Sequence, residues 1–330
     1  MVPYRYGGTP MNTIEQMIHS IGIVPVITLS SPQQAQPLGE ALTAGNLPIA
    51  EITFRTAAAA EAIGIMVQRF PKLLVGAGTI TNVGDAERAI DAGARFIVSP
   101  GYDDEVVVYC QQNGIPVYPG VNNASQIQQA MRRGLEVVKF FPAEASGGVA
   151  MLQALGAPFP SMKFMPTGGI GLHNLAEYMC QPQIIACGGS WMVNSQLIEQ
   201  GRWDEIVRLC REAVQAVHGF TFAHFGINGR DEEEAKRIVD LLSVVLTPVT
   251  EGSKSYFSSP SVEITKRPFP GTHGHIGIRT WNVERALAYL GPFGFSAVME
   301  TAVHDSLGVL QVVYLQPEAG GFAVHLLKAK

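Results

Sequence analysis

The sequence has 330 residues, of which 47% are hydrophobic and 15% are charged, and its formal net charge is −5. This composition is typical of a globular protein with room for one large domain and a smaller one. The acidic balance and the lack of any basic run argue against a nucleic-acid-binding surface. All four cysteines precede residue 211 and form no CxxC pair, so we expect reduced thiols in a cytoplasmic protein. The sequence contains no secretion signal and no run of 18 apolar residues, so we expect no membrane span.

Short apolar or β-branched runs alternate with alanine-rich, helix-patterned stretches through the first 218 residues. Eight such runs occur, roughly 20 to 25 residues apart, which leaves space for one crossover helix between each pair. Eight βα units predict a closed (β/α)8 TIM barrel, an α/β fold, over residues 1–218. The predicted strands are 24–29, 49–54, 73–80, 96–101, 116–121, 137–142, 163–168 and 184–189.

A doubly wound open sheet is the competing fold for this pattern. That fold normally carries a glycine-rich dinucleotide-binding turn after its first strand, whereas the first strand here runs into Ser30-Ser31-Pro32. We therefore favour the barrel, and barrel enzymes place their chemistry at the C-terminal ends of the strands.

The second predicted strand carries three polar residues on one face, because strand side chains alternate with a period of two. These residues are Glu51, Thr53 and Arg55. A salt bridge between Glu51 and Arg55 would explain the pattern without any catalytic role. Their Cα atoms would lie about 13 Å apart in an extended strand, however, which strains a direct ion pair. We favour a functional role for Glu51 at the active face.

Glycine pairs follow the last two predicted strands of the barrel. They are Gly168-Gly169 and Gly188-Gly189, and Ser190 comes directly after the second pair. Backbone N–H groups at these two positions of a barrel commonly bind phosphate. Either pair by itself fits an ordinary tight turn, but the two together favour a phosphate site.

Lys139 lies in the middle of VVKFFP, a sequence typical of a short buried strand. Burial of an unpaired ammonium is costly, which favours the neutral amine that Schiff-base chemistry requires. The structural alternative is a lysine that reaches solvent or pairs with a carboxylate. Lys72 lies in a loop and Lys163 begins the seventh strand at the opposite end of the barrel, so Lys139 is the lysine expected at the active face. The histidines of the barrel region fall on helices or connections, which favours amine catalysis over a metal site.

Seven segments in chain order resemble one known family. They are LPIAEITFRT, VGAGTI, VSPG, VYPGV, VKFFPAEASGG, MPTGGI and CGGSWMV. Together they are similar to the class I aldolases that cleave 2-keto-3-deoxy-6-phosphogluconate (KDPG) and often also accept 2-keto-4-hydroxyglutarate (KHG). The resemblance covers residues 12–218 and implies a homotrimer of (β/α)8 barrels. It also implies a small 2-keto acid as substrate and no cofactor for the aldolase.

The resemblance further implies roles for individual residues. Lys139 would form the Schiff base, and Glu51 would be the general acid and base. Substrate contacts would come from Arg55 and Thr79 at the carboxylate, Pro100, Thr167 at the hydroxyls, and Gly168, Gly169, Gly189 and Ser190 at the phosphate. KDPG would yield pyruvate and glyceraldehyde 3-phosphate, and KHG would yield pyruvate and glyoxylate. One departure is Ile21-Gly22, where many members carry a basic residue just before the first strand.

The barrel pattern ends near residue 218, and residues 219–330 contain five of the eight histidines. Two similar halves follow, each with the order β-α-β-β-β. Their matching first strands are 222–227 and 274–278, and their helices lie near 231–246 and 282–290. We therefore predict a small α+β domain built from two βαβββ modules.

This element order resembles the vicinal oxygen chelate domain of glyoxalase I and the extradiol dioxygenases. In that family, matching positions on the first and last strands of each half bind a divalent metal. Carried over to this chain, the metal ligands are His224, Glu263, His275 and His325. Such a set suits Zn, Ni, Fe or Mn. His325 stands where the family usually has glutamate, and a metal-free binding or interface module is the alternative.

The sequence is also compatible with two other functions. A phosphosugar isomerase or epimerase barrel would use a pair of acid/base residues and would not need Lys139. A metal-dependent lyase or isomerase activity would instead be centred in the C-terminal domain. Trapping of pyruvate with borohydride distinguishes the aldolase from the first of these, and metal analysis bears on the second.

Overall fold

The computed structural model describes residues 5–6, 9–10, 13–306 and 308–329. The chain divides into two compact units, Met1–Val217 and His218–Lys330. At the start of the first unit the backbone pairs Arg5–Tyr6 with Thr9–Pro10 in a short antiparallel hairpin. Among the described residues, no helix is both long and apolar enough to cross a membrane.

Strands form at all eight positions predicted for the barrel. They are Ile23–Ile27 (β1), Ile49–Thr53 (β2), Leu74–Gly78 (β3), Ile97–Val98 (β4), Val117–Tyr118 with Gly120–Val121 (β5), Val137–Phe140 (β6), Lys163–Pro166 (β7) and Cys187–Gly189 (β8). From β1 to β7 each strand pairs in parallel with the next one in the chain, and β8 pairs in parallel with β1. Two isolated parallel bridges, Phe164 with Ile184 and Thr167 with Gly188, connect the β7 and β8 segments. The ring of strands is therefore closed, and residues of one face of every strand point into it.

Several strands are shorter than the predicted runs, and proline explains two of them. β5 is interrupted at Pro119, which has no N–H to donate, although its carbonyl accepts a hydrogen bond from the N–H of Lys139 at 3.0 Å. β4 ends before Ser99-Pro100, where the Ser99 hydroxyl donates to the carbonyl of Gly101 at 2.8 Å and closes a turn. These interruptions lie at the strand ends where the predicted site is located.

Helices connect the barrel strands. They are Thr13–Ile21 (α1), Ala35–Ala44 (α2), Ala59–Arg69 (α3), Val83–Asp91 (α4), Asp104–Gln112 (α5), Ala124–Arg132 (α6), Gly148–Gly156 (α7), Leu175–Met179 (α8), Ser195–Glu199 (α9) and Trp203–His218 (α10). Asn82, Asp103 and Asn123 cap α4, α5 and α6 by accepting backbone N–H groups of the first turn. Side-chain acceptors at these positions satisfy N–H groups that have no partner within the helix, and this fixes where each helix begins.

The second unit contains one eight-stranded sheet and two helices. Its elements are Thr221–Asn228 (β9), Glu232–Leu242 (α11), Val249–Glu251 (β10), Ser255–Ser258 (β11), Val262–Thr265 (β12), Gly274–Thr280 (β13), Val283–Leu290 (α12), Ser296–His304 (β14), Leu310–Ala319 (β15) and Phe322–Lys328 (β16). The strand order across the sheet is β10-β11-β12-β9-β13-β16-β15-β14. In each half the first strand pairs in parallel with the last strand of the same half, and β9 joins the halves by antiparallel pairing with β13.

Each helix of the second unit packs against its own half of the sheet. Ala235 and Val239 of α11 form a buried cluster with Tyr256 and Ile264 of the first half, and α12 forms another with the second half. α11 ends at Leu242, four residues before the predicted end. Pro248 follows, and it disfavours helical conformation only in Thr247, so it limits how far the helix could extend without setting its end at Leu242.

Candidate active site

Lys139 and Glu51 meet inside the barrel of the first unit. The Lys139 side chain comes from β6 and the Glu51 side chain from β2, and Nζ lies 3.6 Å from Oε1. Lys139 is 5% exposed and Glu51 is 1% exposed, so neither side chain reaches bulk solvent. Nζ also lies 5.1 Å from the ring centroid of Phe141, over its face. The barrel therefore holds an ammonium or amine group beside a carboxylate and an aromatic ring.

Glycine on a neighbouring strand makes room for the Glu51 carboxylate. A Cβ atom at Gly78 of β3 would overlap Oε1 of Glu51, so a larger residue there would displace the carboxylate. Both carboxylate oxygens are buried without a hydrogen-bond partner, and the nearby charge is the Lys139 ammonium. An oxygen of this kind is available to accept a proton from a bound molecule.

Arg55 does not pair with Glu51. Its Nε donates instead to the hydroxyl of Thr79 at 3.2 Å. Thr79 follows β3 and has a φ of +58°, a left-handed conformation that costs energy in a β-branched residue and is common at functional sites. The structure thus brings together the two residues for which the sequence predicted a shared role at a carboxylate.

A cavity of about 590 Å³ opens at the C-terminal ends of the barrel strands. Six of the ten predicted catalytic and substrate-binding residues line it: Arg55, Thr167, Gly168, Gly169, Gly189 and Ser190. Phe141 lines the cavity too, and connects it with Lys139, whose Nζ lies over the same ring. Pro100 lies half-buried beyond β4 and is outside this lining.

The loop that carries Gly168 and Gly169 is held by side chains that the sequence did not single out. Both glycines have positive φ, +101° and +80°. Asn174 is buried and bridges this loop, because its Oδ1 accepts from the N–H of Gly171 at 2.9 Å and its Nδ2 donates to the carbonyl of Gly169 at 3.2 Å. An asparagine three residues after a turn is too common a pattern to have predicted this role.

A second contact holds the same loop from the other side. The Tyr178 hydroxyl of α8 donates to Glu144, which follows β6, and a side chain at Gly169 would overlap Glu144. The backbone N–H of Glu144 also donates to the carbonyl of Gly168 at 3.0 Å. No sequence pattern indicated this pair, since 34 residues separate its members. Nor did a pattern indicate Asn194, Ser195 and Glu199, which line the cavity.

The predicted metal ligands of the second unit also converge. Nε2 of His224 lies 3.2 Å from Nε2 of His275 and 3.1 Å from Nε2 of His325. Oε2 of Glu263 lies 3.3 Å from Nε2 of both His224 and His275. The other carboxylate oxygen of Glu263 accepts the Ser255 hydroxyl at 2.6 Å, which fixes its orientation.

Each of the four residues comes from a different one of four adjacent strands, and two glycines stand between them. Along one row of the sheet Gly226 is paired with both Glu263 and His275, and along the next row Gly277 is paired with both His224 and His325. A Cβ at Gly277 would lie 2.7 Å from Cε1 of His224 and 2.9 Å from Nε2 of His325. A Cβ at Gly226 would overlap the His275 imidazole. Glycine at both positions leaves the space into which the imidazoles turn.

The environment of the cluster favours neutral imidazoles and an ionised carboxylate. Burial lowers the pKa of His224, and burial with the neighbouring imidazoles lowers that of His325 to about 3. Burial alone would raise the pKa of the Glu263 carboxyl, but hydrogen bonds from His275 and Ser255 outweigh it and the pKa is lowered. Neutral imidazole and ionised carboxylate are the forms that bind metal ions. Lone pairs that face one another at 3.1–3.3 Å repel unless a proton or a cation lies between them, so these residues fit a divalent ion.

Comparison with known proteins identifies relatives of the first unit. Residues 14–209 match the family described as KDPG and KHG aldolase. The 2-dehydro-3-deoxy-phosphogluconate aldolase of Treponema pallidum (strain Nichols) is 45% identical over 207 residues, which are 63% of this chain and 99% of that protein. The KHG/KDPG aldolase of Escherichia coli (strain K12) is 38% identical over 201 residues, 61% of this chain and 94% of that protein.

Solved structures give the same result. The KDPG aldolase of Legionella pneumophila, solved with pyruvate captured at low pH as a covalent carbinolamine intermediate, is 39% identical with a TM-score of 0.59. The match covers 61% of this chain and 97% of that chain. The 2-keto-3-deoxy-6-phosphogluconate aldolase of Zymomonas mobilis ZM4, solved with 3-phosphoglycerate, is 35% identical with a TM-score of 0.58 over 62% of this chain and 96% of that one.

Proposed function

The chain belongs to the KDPG and KHG aldolase family and is a carbon–carbon lyase, and from that premise we propose that its first unit cleaves KDPG through a Schiff base on Lys139. The observation that carries the proposal is the 3.6 Å separation of Lys139 Nζ and Glu51 Oε1 inside the barrel. A buried ion pair usually contributes little to stability, because the cost of desolvating both charges offsets their attraction. A catalytic role accounts for the pair better than a structural one.

The reaction follows from the chemistry of these two groups. Glu51 first takes a proton from the Lys139 ammonium, and the neutral amine attacks the C2 ketone of the substrate to give a carbinolamine. Glu51 returns this proton as the carbinolamine hydroxyl leaves as water, which gives a protonated imine and restores the Glu51 carboxylate. Glu51 removes the proton of the C4 hydroxyl while the C3–C4 bond breaks, and the bonding electrons pass into the imine to form an enamine. The aldehyde leaves, Glu51 returns a proton to C3, and hydrolysis of the imine releases pyruvate and restores Lys139.

The substrate would lie along the cavity of the first unit. We assign its carboxylate to Arg55 and Thr79, which hydrogen-bond to each other, and its hydroxyls to Thr167. Its phosphate would bind the backbone at Gly168, Gly169, Gly189 and Ser190, which line the cavity. Pro100 would border the site from the end of β4 without lining the cavity. Positive φ angles at Gly168 and Gly169 allow backbone approach that a side chain would hinder.

KHG is the second substrate that we propose. It would give pyruvate and glyoxylate by the same steps, because the C2 ketone and C4 hydroxyl are common to both molecules. The name of the Escherichia coli relative includes both substrates. A ratio of kcat/KM for KDPG and KHG measured on this chain tests the assignment, and the absence of glyoxylate production would restrict the enzyme to KDPG.

Trapping with borohydride tests the Schiff base directly. Incubation of the full chain with pyruvate and borohydride, followed by intact mass and peptide mapping, is expected to give one pyruvyl adduct on Lys139. A folded protein without an adduct would refute the Schiff base and favour the isomerase or epimerase chemistry considered from the sequence. An adduct on another lysine would refute the assignment of Lys139 alone.

We also propose that the enzyme acts as a cytoplasmic homotrimer, as its resemblance to these aldolases implies. Light scattering coupled to size-exclusion chromatography should then give three times the chain mass of 35.5 kDa. A mass of one or two chains would refute this assembly. The aldolase steps given above need residues of one barrel, so they do not depend on the assembly state.

A second function is favoured by the cluster in the second unit. We propose that this unit is a vicinal oxygen chelate domain of two βαβββ modules that spans residues 219–330, with residues 1–218 as the aldolase domain. His224, Glu263, His275 and His325 would hold one divalent metal, which would supply Lewis acidity to an oxygen ligand. The support is their convergence from four adjacent strands around Gly226 and Gly277.

Metal analysis of the full chain tests this site. After loading and desalting, we expect about one equivalent of zinc, nickel, iron or manganese per chain. His275→Ala should lose the metal, whereas His304→Ala, which removes an exposed histidine of the same unit, should keep it. Equal metal content in the two variants would refute the assignment and leave a metal-free module.

A further inference from the structure

The four proposed metal ligands lie on the wall of a cavity of about 390 Å³ in the second unit. The rest of the lining consists of seven residues: Phe269, Pro270, Thr301, Val303, Val312, Tyr314 and Leu327. Among the residues the structure describes, no lysine or arginine lines this cavity, and Glu263 is its single acidic residue. A molecule in the cavity would thus contact the metal site on one side and mostly apolar side chains on the other.

The charge of the site selects for an anion. A divalent ion held by one ionised carboxylate, Glu263, and three neutral imidazoles carries one net positive charge. This charge favours a ligand with a single negative charge, because that ligand neutralises the site.

The apolar lining limits what the rest of the ligand can be. A phosphate or a second carboxylate would lie against side chains such as Val312 and Leu327 with no cation to pair with it, which is costly. A small aliphatic group would be favoured there, because its burial against these side chains removes apolar surface from water. Thr301 and Tyr314 supply the two hydroxyl groups of the lining. The preferred ligand therefore combines oxygen donors, one negative charge and a short apolar end.

We propose that the cavity of the second unit binds a 2-oxo monocarboxylate such as pyruvate at the metal site, and that it excludes phosphorylated aldehydes. The carboxylate and the adjacent ketone oxygen bind the ion, and the methyl group faces the apolar wall. This inference rests on the proposed metal site. It implies that the second unit takes the keto-acid product of KDPG cleavage and leaves glyceraldehyde 3-phosphate alone.

Cobalt(II) gives a direct readout of ligand binding at the metal. The full chain with Lys139→Met, which cannot form a Schiff base, is loaded with one equivalent of cobalt(II) and followed by visible absorption. Pyruvate should change the cobalt bands in a saturable way and bind at least about tenfold more tightly than inorganic phosphate or glyceraldehyde 3-phosphate. Because the absorption reports the ion itself, weak binding of pyruvate in the barrel does not contribute to it.

The controls distinguish the two possible failures. Lys139→Met with His275→Ala should bind neither cobalt(II) nor pyruvate in the second unit, while circular dichroism shows whether it is folded. Cobalt bands that do not respond to pyruvate, or that respond more strongly to phosphate, would overturn the ligand proposal and leave the metal site intact. A folded Lys139→Met chain that binds no cobalt(II) would overturn the metal site and the ligand proposal together.

Discussion

Both units use glycine residues to make room for reactive side chains on a β-sheet, but the charges of the groups around those side chains differ. In the barrel, Gly78 makes room for Glu51, and in the second unit Gly226 and Gly277 make room for imidazoles. The barrel pair consists of groups of opposite charge, Lys139 and Glu51, which lie 3.6 Å apart. The second cluster consists of three imidazoles and a carboxylate whose nitrogen and oxygen atoms converge at 3.1–3.3 Å, an arrangement that fits a divalent cation.

The comparison shows how the partner of a buried polar group determines what the group can do. A lysine beside a carboxylate can exchange a proton with it and becomes a nucleophile when neutral. The imidazoles and the carboxylate of the second unit come from four adjacent strands. Their nitrogen and oxygen atoms are therefore held in fixed positions as possible ligands of a metal ion. We therefore propose covalent chemistry for the first unit and ligand binding at a metal for the second.

The largest effect should come from Lys139→Met. Loss of the amine removes the nucleophile, so we expect kcat for KDPG cleavage to fall by roughly 10⁴-fold or more, measured by pyruvate release. Metal content of the second unit should not change, since the two sites are made of different residues. Lys72→Met, which alters an exposed lysine, is the matched control and should keep its activity. Activity within tenfold of the original in Lys139→Met would show that another group is the nucleophile.

Glu51→Gln should have the next largest effect and separates proton transfer from covalent binding. The amide cannot take the C4 hydroxyl proton, so we expect kcat to fall by roughly 10²–10⁴-fold. The borohydride adduct on Lys139 should still form with pyruvate. Glu61→Gln replaces an exposed glutamate of α3 and should be fully active. If Glu51→Gln turns over normally, the buried carboxylate is not the acid/base group.

Gly277→Ala should weaken the metal site and leave the aldolase site intact, which is the reverse of the effect expected for the two barrel variants. The added methyl would lie 2.7 Å from His224 and 2.9 Å from His325, so we expect metal affinity to fall by roughly 10–100-fold, measured by competition with a chelating dye. Aldolase activity should be unchanged. Gly291→Ala is the control, because no atom lies within 4 Å of a Cβ at that position and its backbone is helical. Equal metal affinity in both variants would refute the role of Gly277.

The smallest effect should come from Tyr178→Phe, which removes the hydroxyl that binds Glu144. We expect the free energy of unfolding to fall by about 1 kcal/mol, measured by urea denaturation of the full chain. Tyr102→Phe removes a more exposed hydroxyl, which donates to Asp104 at 3.1 Å, and should cost less than about 0.5 kcal/mol. If the two variants are equally stable, the contact of Tyr178 with Glu144 does not hold the glycine loop.

Sequence patterns predicted the elements better than the contacts between them. The barrel strands and the single lysine at the active face follow from periodicity and from the cost of burying a charge, both of which act locally. The two matching first strands predicted at 222–227 and 274–278 likewise form, as β9 and β13. Helix ends were less accurate, since α11 ends at Leu242 whereas the helix was predicted to extend to about residue 246.

The sequence by itself determined the order of the elements, the family of the first unit and the residue types that carry chemistry. Only the tertiary structure decided which of those residues meet. Arg55 is four residues from Glu51 in the chain, yet Glu51 meets Lys139, 88 positions away, because β2 and β6 both face the inside of a closed ring. Strand register likewise set Gly226 between Glu263 and His275. Pairings of this kind depend on the whole sheet, so no local pattern specifies them.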